Sequence, residues 1–308
     1  MMLSTPKRKI DWWIYSVPVI LILQIVFYIL VYSRLGGTKA VLLFYLAPFV
    51  VITLCLLFLL IGIIRSAIRR PFFTRSRLIS FTALLLLLFS GSFYGAYPSS
   101  YDNKPSKVEF CLPLDTTITV AWGGGREEIN YHVLSPDQRW AYDLFIMKDG
   151  KTFLGDSSKL SSYYCYGRPV LSPAAGKVAE VLDSDPDMPA GTLGGGTEQT
   201  GNHIIIEVAP KEYLFLCHLQ PKSIKVKKGD LVERGQPVAL VGNSGNTSEP
   251  HIHVHLQDTK MFGLGEGIPL YFYHYMTDGK TVEKGIPTGG FDTNGKFIGQ
   301  TVQNIKRP

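Results

Sequence analysis

The sequence predicts three N-terminal transmembrane α-helices followed by a mostly-β domain. Three observations carry that expectation. The first third of the chain holds three long apolar runs with no charge inside them, and the remainder breaks into short β-type segments. The charge balance also divides at the same place. The 308-residue chain is +6 overall, yet residues 1–96 hold ten Lys or Arg and a single acid, Asp11. The basic excess therefore belongs to the first third, and the remainder is weakly acidic, so no nucleic-acid partner is expected.

The apolar runs are WWIYSVPVILILQIVFYILVY (12–32), AVLLFYLAPFVVITLCLLFLLIGII (40–64) and LISFTALLLLLFSGSFYGAY (78–97). Each is close to the ~20 residues an α-helix needs to cross a bilayer. Pro18 and Pro48 lie inside them, which membrane helices tolerate better than soluble ones. A very apolar soluble helical domain is the competing reading, but buried soluble helices rarely run this long without a charge. Residues 1–97 are thus read as a membrane domain with the lipid bilayer as its partner.

Flanking charge sets the orientation. Lys7, Arg8 and Lys9 precede the first run, and RSAIRRPFFTRSR, between the second and third, carries five arginines. SRLGGTK, between the first and second, has only two basic residues. The positive-inside rule places the N-terminus and the five-arginine loop in the cytoplasm and everything after Tyr97 on the outer side, extracellular or periplasmic. A cleaved signal peptide is not expected, because the first run is too long and further runs follow.

Residues 98–115 read as a linker opening on the polar PSSYDNKPSK. Beyond it, TTITVAW, HIIIEVAP, EYLFLCHL, PVALVG and HIHVHLQ are short β segments separated by turn residues, the rhythm of a domain built from hairpins. DSDPDMPAGTLGGGTEQTG (183–201) reads as a mobile surface loop, a lip beside a site; its GGG is not followed by Lys-Ser/Thr, so it is no phosphate loop. Residues 258–308 read as a β-rich extension with no assignable chemistry. Of four cysteines, Cys55 lies in an apolar run and three remain outside, so at most one disulfide can form among those. Cys111 with Cys165 is the possible pair, although free thiols are favoured; Cys217 reads as a buried small hydrophobe.

The chemistry concentrates in PHIHVH (250–255), which puts three of the seven histidines at alternate positions. On a strand His251, His253 and His255 face one side. A catalytic zinc site needs three protein ligands and an open fourth position. Candidate partners are His132 and Asp143 in INYHVLSPDQRWAYDLFI and His218 in FLCHLQ. No HExxH is present, which excludes a helix-borne zinc protease.

These residues resemble the lysostaphin-type (LytM-domain) zinc peptidases, which cut peptide cross-links of bacterial cell walls. The likeness covers roughly residues 116–257, and VLSPAAGKVAEV (170–181) and CHLQPKSIKVKKGDLVERGQPVALVGNSGNTSEPHIHV within it carry it most closely. It implies a β-rich duplicated hybrid motif, with His132, Asp143 and His253 as Zn²⁺ ligands. His218 and His251 would be the catalytic pair, passing the proton of a water that zinc can acidify to a pKa of ~7. His255 stands where members often carry Glu or Gln and is read as a support for its neighbours or as facing the sheet edge. Members usually place the early His and Asp only a few residues apart, whereas ten residues intervene here. The Ser-Pro-Asp turn within them would let a loop fold out. Asp137, in that turn, is the rival carboxylate, but Asp143 precedes the apolar LFI of the family's strand. His203 and His274 are read as structural, and Arg139 and Trp140 as packing for the inserted loop.

The resemblance implies a multi-pass protein of the bacterial cell membrane with an outward-facing zinc endopeptidase acting on peptidoglycan. Two other expectations stay open: a non-enzymatic regulator of wall hydrolases, and a peptidase for a non-wall peptide. A membrane or cell-wall enzyme partner is possible and unidentified.

Overall fold

The structure, a computed structural model, describes residues 11–34, 36–90, 95–194 and 196–305. The chain divides into two compact units, Met1–Pro98 and Ser99–Pro308. Lys7, Arg8 and Lys9 lie outside the described residues, as do residues 91–94 of the third apolar run and Gly195 of the GGG.

In the first unit a 3₁₀ turn (Trp12–Tyr15) leads into α1 (Ser16–Tyr32), followed by α2 (Gly37–Ile68) and α3 (Arg75–Ser90). Two stretches, Trp12–Tyr32 and Gly37–Ile68, are long and apolar enough to cross a membrane by length and composition. The 16 residues of α3 fall short of that length. Pro48 lies within α2. Gly62 lets α2 approach its neighbours closely, since a Cβ there would lie 2.8 Å from the Phe81 ring and 3.0 Å from that of Trp13. Asp11, the lone acid, accepts hydrogen bonds from Nε and Nη2 of buried Arg77 at 2.8 Å. The same guanidinium donates through Nη1 to the carbonyls of Arg69 and Pro71 at 2.7 Å, so one ion pair closes the arginine-rich turn.

The second unit is antiparallel β. Its strands are β1 (Ile118–Trp122), β2 (Tyr142–Phe145), β3 (Pro169–Leu171), β4 (Gly176–Leu182), β5 (Asn202–Ala209) and β6 (Glu212–Leu219). They continue with β7 (Leu231–Val232), β8 (Pro237–Leu240), β9 (Ile252–Gln257), β10 (Phe272–Thr277), β11 (Lys280–Gly285) and β12 (Thr301–Asn304). Ten form one sheet in the order β11-β10-β12-β1-β2-β9-β6-β5-β4-β7, and β3 pairs with β8 apart from it. Residues 258–308 thus supply three strands of the main sheet. The segment after Ser99 packs onto this unit, with Phe110, Leu112 and Leu114 in the same core as Ile204, Leu216 and Val254. Each such fully buried apolar side chain contributes roughly 1.5–3 kcal/mol. All four cysteines are free; Cys165 and Cys217 are buried, and burial pushes the Cys165 thiol up to about 12.

Two glycines let backbone segments meet behind the site. Gly245, at φ +81°, would place a Cβ 2.3 Å from the Gly201 nitrogen, and Gly201, at φ +55°, would place one 2.3 Å from Ser244. Gly245→Ala therefore meets both backbone strain, ~1–3 kcal/mol, and a collision that only backbone movement relieves. We expect it to lower unfolding free energy by about 2 kcal/mol or more, read as a lower denaturation midpoint.

Candidate metal centre

β9 lies between β2 and β6, and the registers pair Asp143 with His253 and Cys217 with His253. Strand alternation then puts Asp143, Cys217 and His253 on one face, together with His255 and Gln257 of β9 and His251 just before it. His218 follows Cys217 and would by alternation face away. β6 bulges at this point: the register shifts between the Asn202–Leu219 and Ile204–Leu216 pairs, and His218 adopts φ +63°. The bulge swings His218 back to the Cys217 side, its ring centroid 4.9 Å from that of His251.

His132 arrives from a 3₁₀ turn, Tyr131–Leu134, capped by Asn130. The Asn130 amide donates to the carbonyls of Gly124 and Ala141 at 2.8 and 3.0 Å, which leaves Oδ1 to accept from the His132 backbone N–H and Nδ1–H. His132 Nε2 is thereby freed, 3.6 Å from Asp143 Oδ2. His253 Nδ1 lies 2.8 Å from Asp143 Oδ1. One ligand-capable atom from each of these three buried residues lies within 4.8 Å of the others, a group able to hold a metal ion. Asp143 rather than Asp137 faces the histidines. Asp137 instead accepts from the Gly263 N–H at 2.8 Å, and Gly267 N–H donates to the Pro136 carbonyl, pinning the loop to the C-terminal extension. Arg139 pairs with Asp102 and Trp140 covers Gly125; neither lines the cavity.

His218 and His251 share a tautomer. Each donates Nδ1–H to a carbonyl at 2.8 Å, of Ser244 and Glu249 respectively, leaving Nε2 for the site; His251 Nε2 is 3.4 Å from Asp143 Oδ1. A cavity of about 290 Å³ opens on all five residues and is walled by Trp122, Tyr131, Gln138, Leu193, Asn246 and Phe262 among others. The 183–201 loop borders it through Leu193, Gln199 and Thr200. Within it, Met188 and Gly191 donate to the carbonyls of Asn243 and Ser248, and Thr197 bonds Asp185. His203 bonds Thr200 and Gly201 within its own turn, and His274 pairs with Glu283 at 2.8 Å. His255 is fully buried at the sheet centre, not at an edge, 3.0 Å from His253 and stacked on Phe215. The sequence reading missed Asn130, whose only signal was a capping residue two positions before His132.

Burial alone would push the Asp143 carboxyl up, but His132, His251 and His253, which face it, hold it well below the carboxylate range. Burial lowers His132 to about 4 against the pull of Asp143. Burial, reinforced by neighbouring imidazoles, also drives His218 and His255 well below an ordinary histidine. For His251 burial is outweighed by Asp143 and the pKa rises.

A model of the family described as Peptidase family M23 matches residues 162–262 of the chain. Among its relatives are two Vibrio cholerae proteins, peptidoglycan DD-endopeptidase ShyB, 38% identical over 90 residues, and ShyA, 34% identical over 97. Each match takes in 28% of this chain but only 17% of ShyB and 22% of ShyA, so the chain spans about a fifth of those relatives' lengths. The catalytic domain of lysostaphin from Staphylococcus simulans is a structural neighbour, at 19% identity and TM-score 0.27 over 54% of this chain and 90% of that one.

Two outcomes follow. Asp143→Ala should remove metal binding, whereas Asp137→Ala should keep metal stoichiometry and lower thermal stability; metal analysis beside a melting curve separates them. In the metal-free chain, His132, His218 and His255 stay neutral where the unfolded chain, titrating near 6.5, takes up protons. His251 works in the opposite sense, three groups against one. Stability should therefore fall as pH drops from 7.5 to 5.5, read as a lower urea midpoint.

Proposed function

We propose that this chain is a membrane-anchored zinc metalloendopeptidase that hydrolyses peptide cross-links of bacterial peptidoglycan. The observation that carries the reading is the convergence of His132 Nε2, an Asp143 oxygen and His253 Nδ1, with His218 and His251 beside them in one cavity. Two imidazoles and one carboxylate suit zinc, and the cavity leaves room for a further ligand. When bound, zinc would act as a Lewis acid toward the scissile carbonyl and acidify a neighbouring water.

The protein's own groups handle the proton. His251 Nε2 faces Asp143, whose charge favours the imidazolium, so His251 is the better acceptor for the proton of the attacking water. Its Nδ1–H, held by the Glu249 carbonyl, keeps Nε2 aimed at the cavity while the proton moves on to the leaving amine. His218 resists protonation and keeps a bare Nε2, which can orient the water by accepting its second hydrogen. Trp122, Tyr131 and Phe262 offer apolar walls, and Gln138 and Asn246 offer amides, a mixture suited to a peptide.

The membrane part of the reading draws on α1 and α2. Phe49 and Ile68 are 70% and 75% exposed, and many leucines are exposed as well, a surface that lipid would cover. Flanking charge favours a cytoplasmic N-terminus and an outer peptidase. The relatives' activity on peptidoglycan supports the substrate class.

The purified full chain, loaded with zinc, should release cross-linked peptides from isolated wall as products identified by mass. A chelator should stop release, and His253→Ala should leave less than about 1% of it. Cleavage that survives both would refute the mechanism, and a zinc-loaded chain that leaves wall intact would refute the substrate.

A further inference from the structure

His255 and Gln257 take no part in the proton transfers above, yet both are fully buried polar side chains on a central strand. They continue the face of β9 that carries His253, with His251 just before the strand. His253 Nε2 lies 3.0 Å from His255 Nδ1, and His255 Nε2 lies 3.3 Å from Gln257 Oε1. Gln257 Nε2 donates to the carbonyls of Thr259 and Met261, at 2.5 and 3.1 Å.

The direction of every proton in this chain follows from its far end. Backbone carbonyls only accept, so Gln257 turns its NH₂ to Thr259 and Met261 and its Oε1 to His255. Oε1 also only accepts, so His255 carries its proton on Nε2 and presents a lone pair at Nδ1. His253 must then carry a proton on Nε2. That arrangement commits Nδ1 of His253 to the site, where it meets Asp143 Oδ1 at 2.8 Å. Two acceptors that close are held together by positive charge, a cation or a proton.

The geometry points to His255 and Gln257 as positioning residues that hold His253 in its metal-ligating tautomer, with the Thr259 and Met261 carbonyls as the anchor. The inference rests on His253 being a metal ligand. A histidine that merely filled space against Phe215 would show the same stacking but would not need an acceptor at Nδ1.

The test uses the full chain in detergent. Zinc affinity is measured by chelator competition for the wild type, His255→Leu, His255→Gln and Gln257→Leu, with circular dichroism to confirm folding. Loss of the acceptor in His255→Leu should weaken zinc binding about 10–100-fold, and His255→Gln, which restores an acceptor oxygen, should return it to within about threefold. Gln257→Leu should weaken it in the same direction, and decides the matter if His255→Leu does not fold. In ¹⁵N-histidine spectra of the wild type, a scalar coupling should cross the hydrogen bond from His253 Nε2–H to His255 Nδ1. A wild type that binds one zinc while folded His255→Leu or Gln257→Leu binds it equally well overturns the relay and leaves the proposed function standing. A wild type that binds no zinc overturns both.

Discussion

The pairing of β9 between β2 and β6 is the constraint on which the site depends. It sets Asp143 opposite His253 on one side and Cys217 opposite His253 on the other. A slip of one residue in either register would turn the facing side chains to the opposite face. The buried apolar residues on the other face, among them Leu144, Leu216, Ile252 and Val254, resist that slip, since each would exchange a core environment for a polar one. Hydrophobic packing on one side of the sheet thereby specifies polar geometry on the other.

Collecting one carboxylate and five imidazoles in a buried cluster is costly unless each is hydrogen-bonded and few are charged. The cluster meets that condition with fixed acceptors. Asn130, Ser244 and Glu249 each take an Nδ1–H, and the Gln257 relay takes the Nε2–H of His253 through His255. Four histidines are thus oriented by groups that themselves belong to turns and bulges, and Asp143 remains the one deeply buried carboxylate facing them. A lone pair turned toward the site suits both ligation and proton acceptance.

Much of this was legible in order along the chain. Alternation in IHVHLQ announced a strand with its histidines on one face, and the apolar LFI after Asp143 distinguished it from Asp137, which the structure places on the Gly263 backbone instead. The β character of the second unit and its hairpin rhythm were likewise readable from turn residues. The helical first unit was readable as apolar runs, but the third of these yields only a 16-residue helix among the described residues. His255 reads differently from the edge position its sequence allowed, because nothing local tells a strand whether it will have neighbours on both sides.

Composition and periodicity by themselves determined which residue types could meet: apolar runs without charge, alternating histidines and short β segments parted by turns. These are local properties, set by side-chain chemistry and by the repeat of the backbone. Tertiary structure decided what meets what. The bulge that turns His218 inward, the Asn130 cap that frees His132 Nε2 across ten intervening residues, and the carbonyls that orient Gln257 all join segments far apart in the chain or depend on a register. Proton positions on buried rings follow only from such partners, because an isolated imidazole has no means of choosing between its two nitrogens in favour of a site.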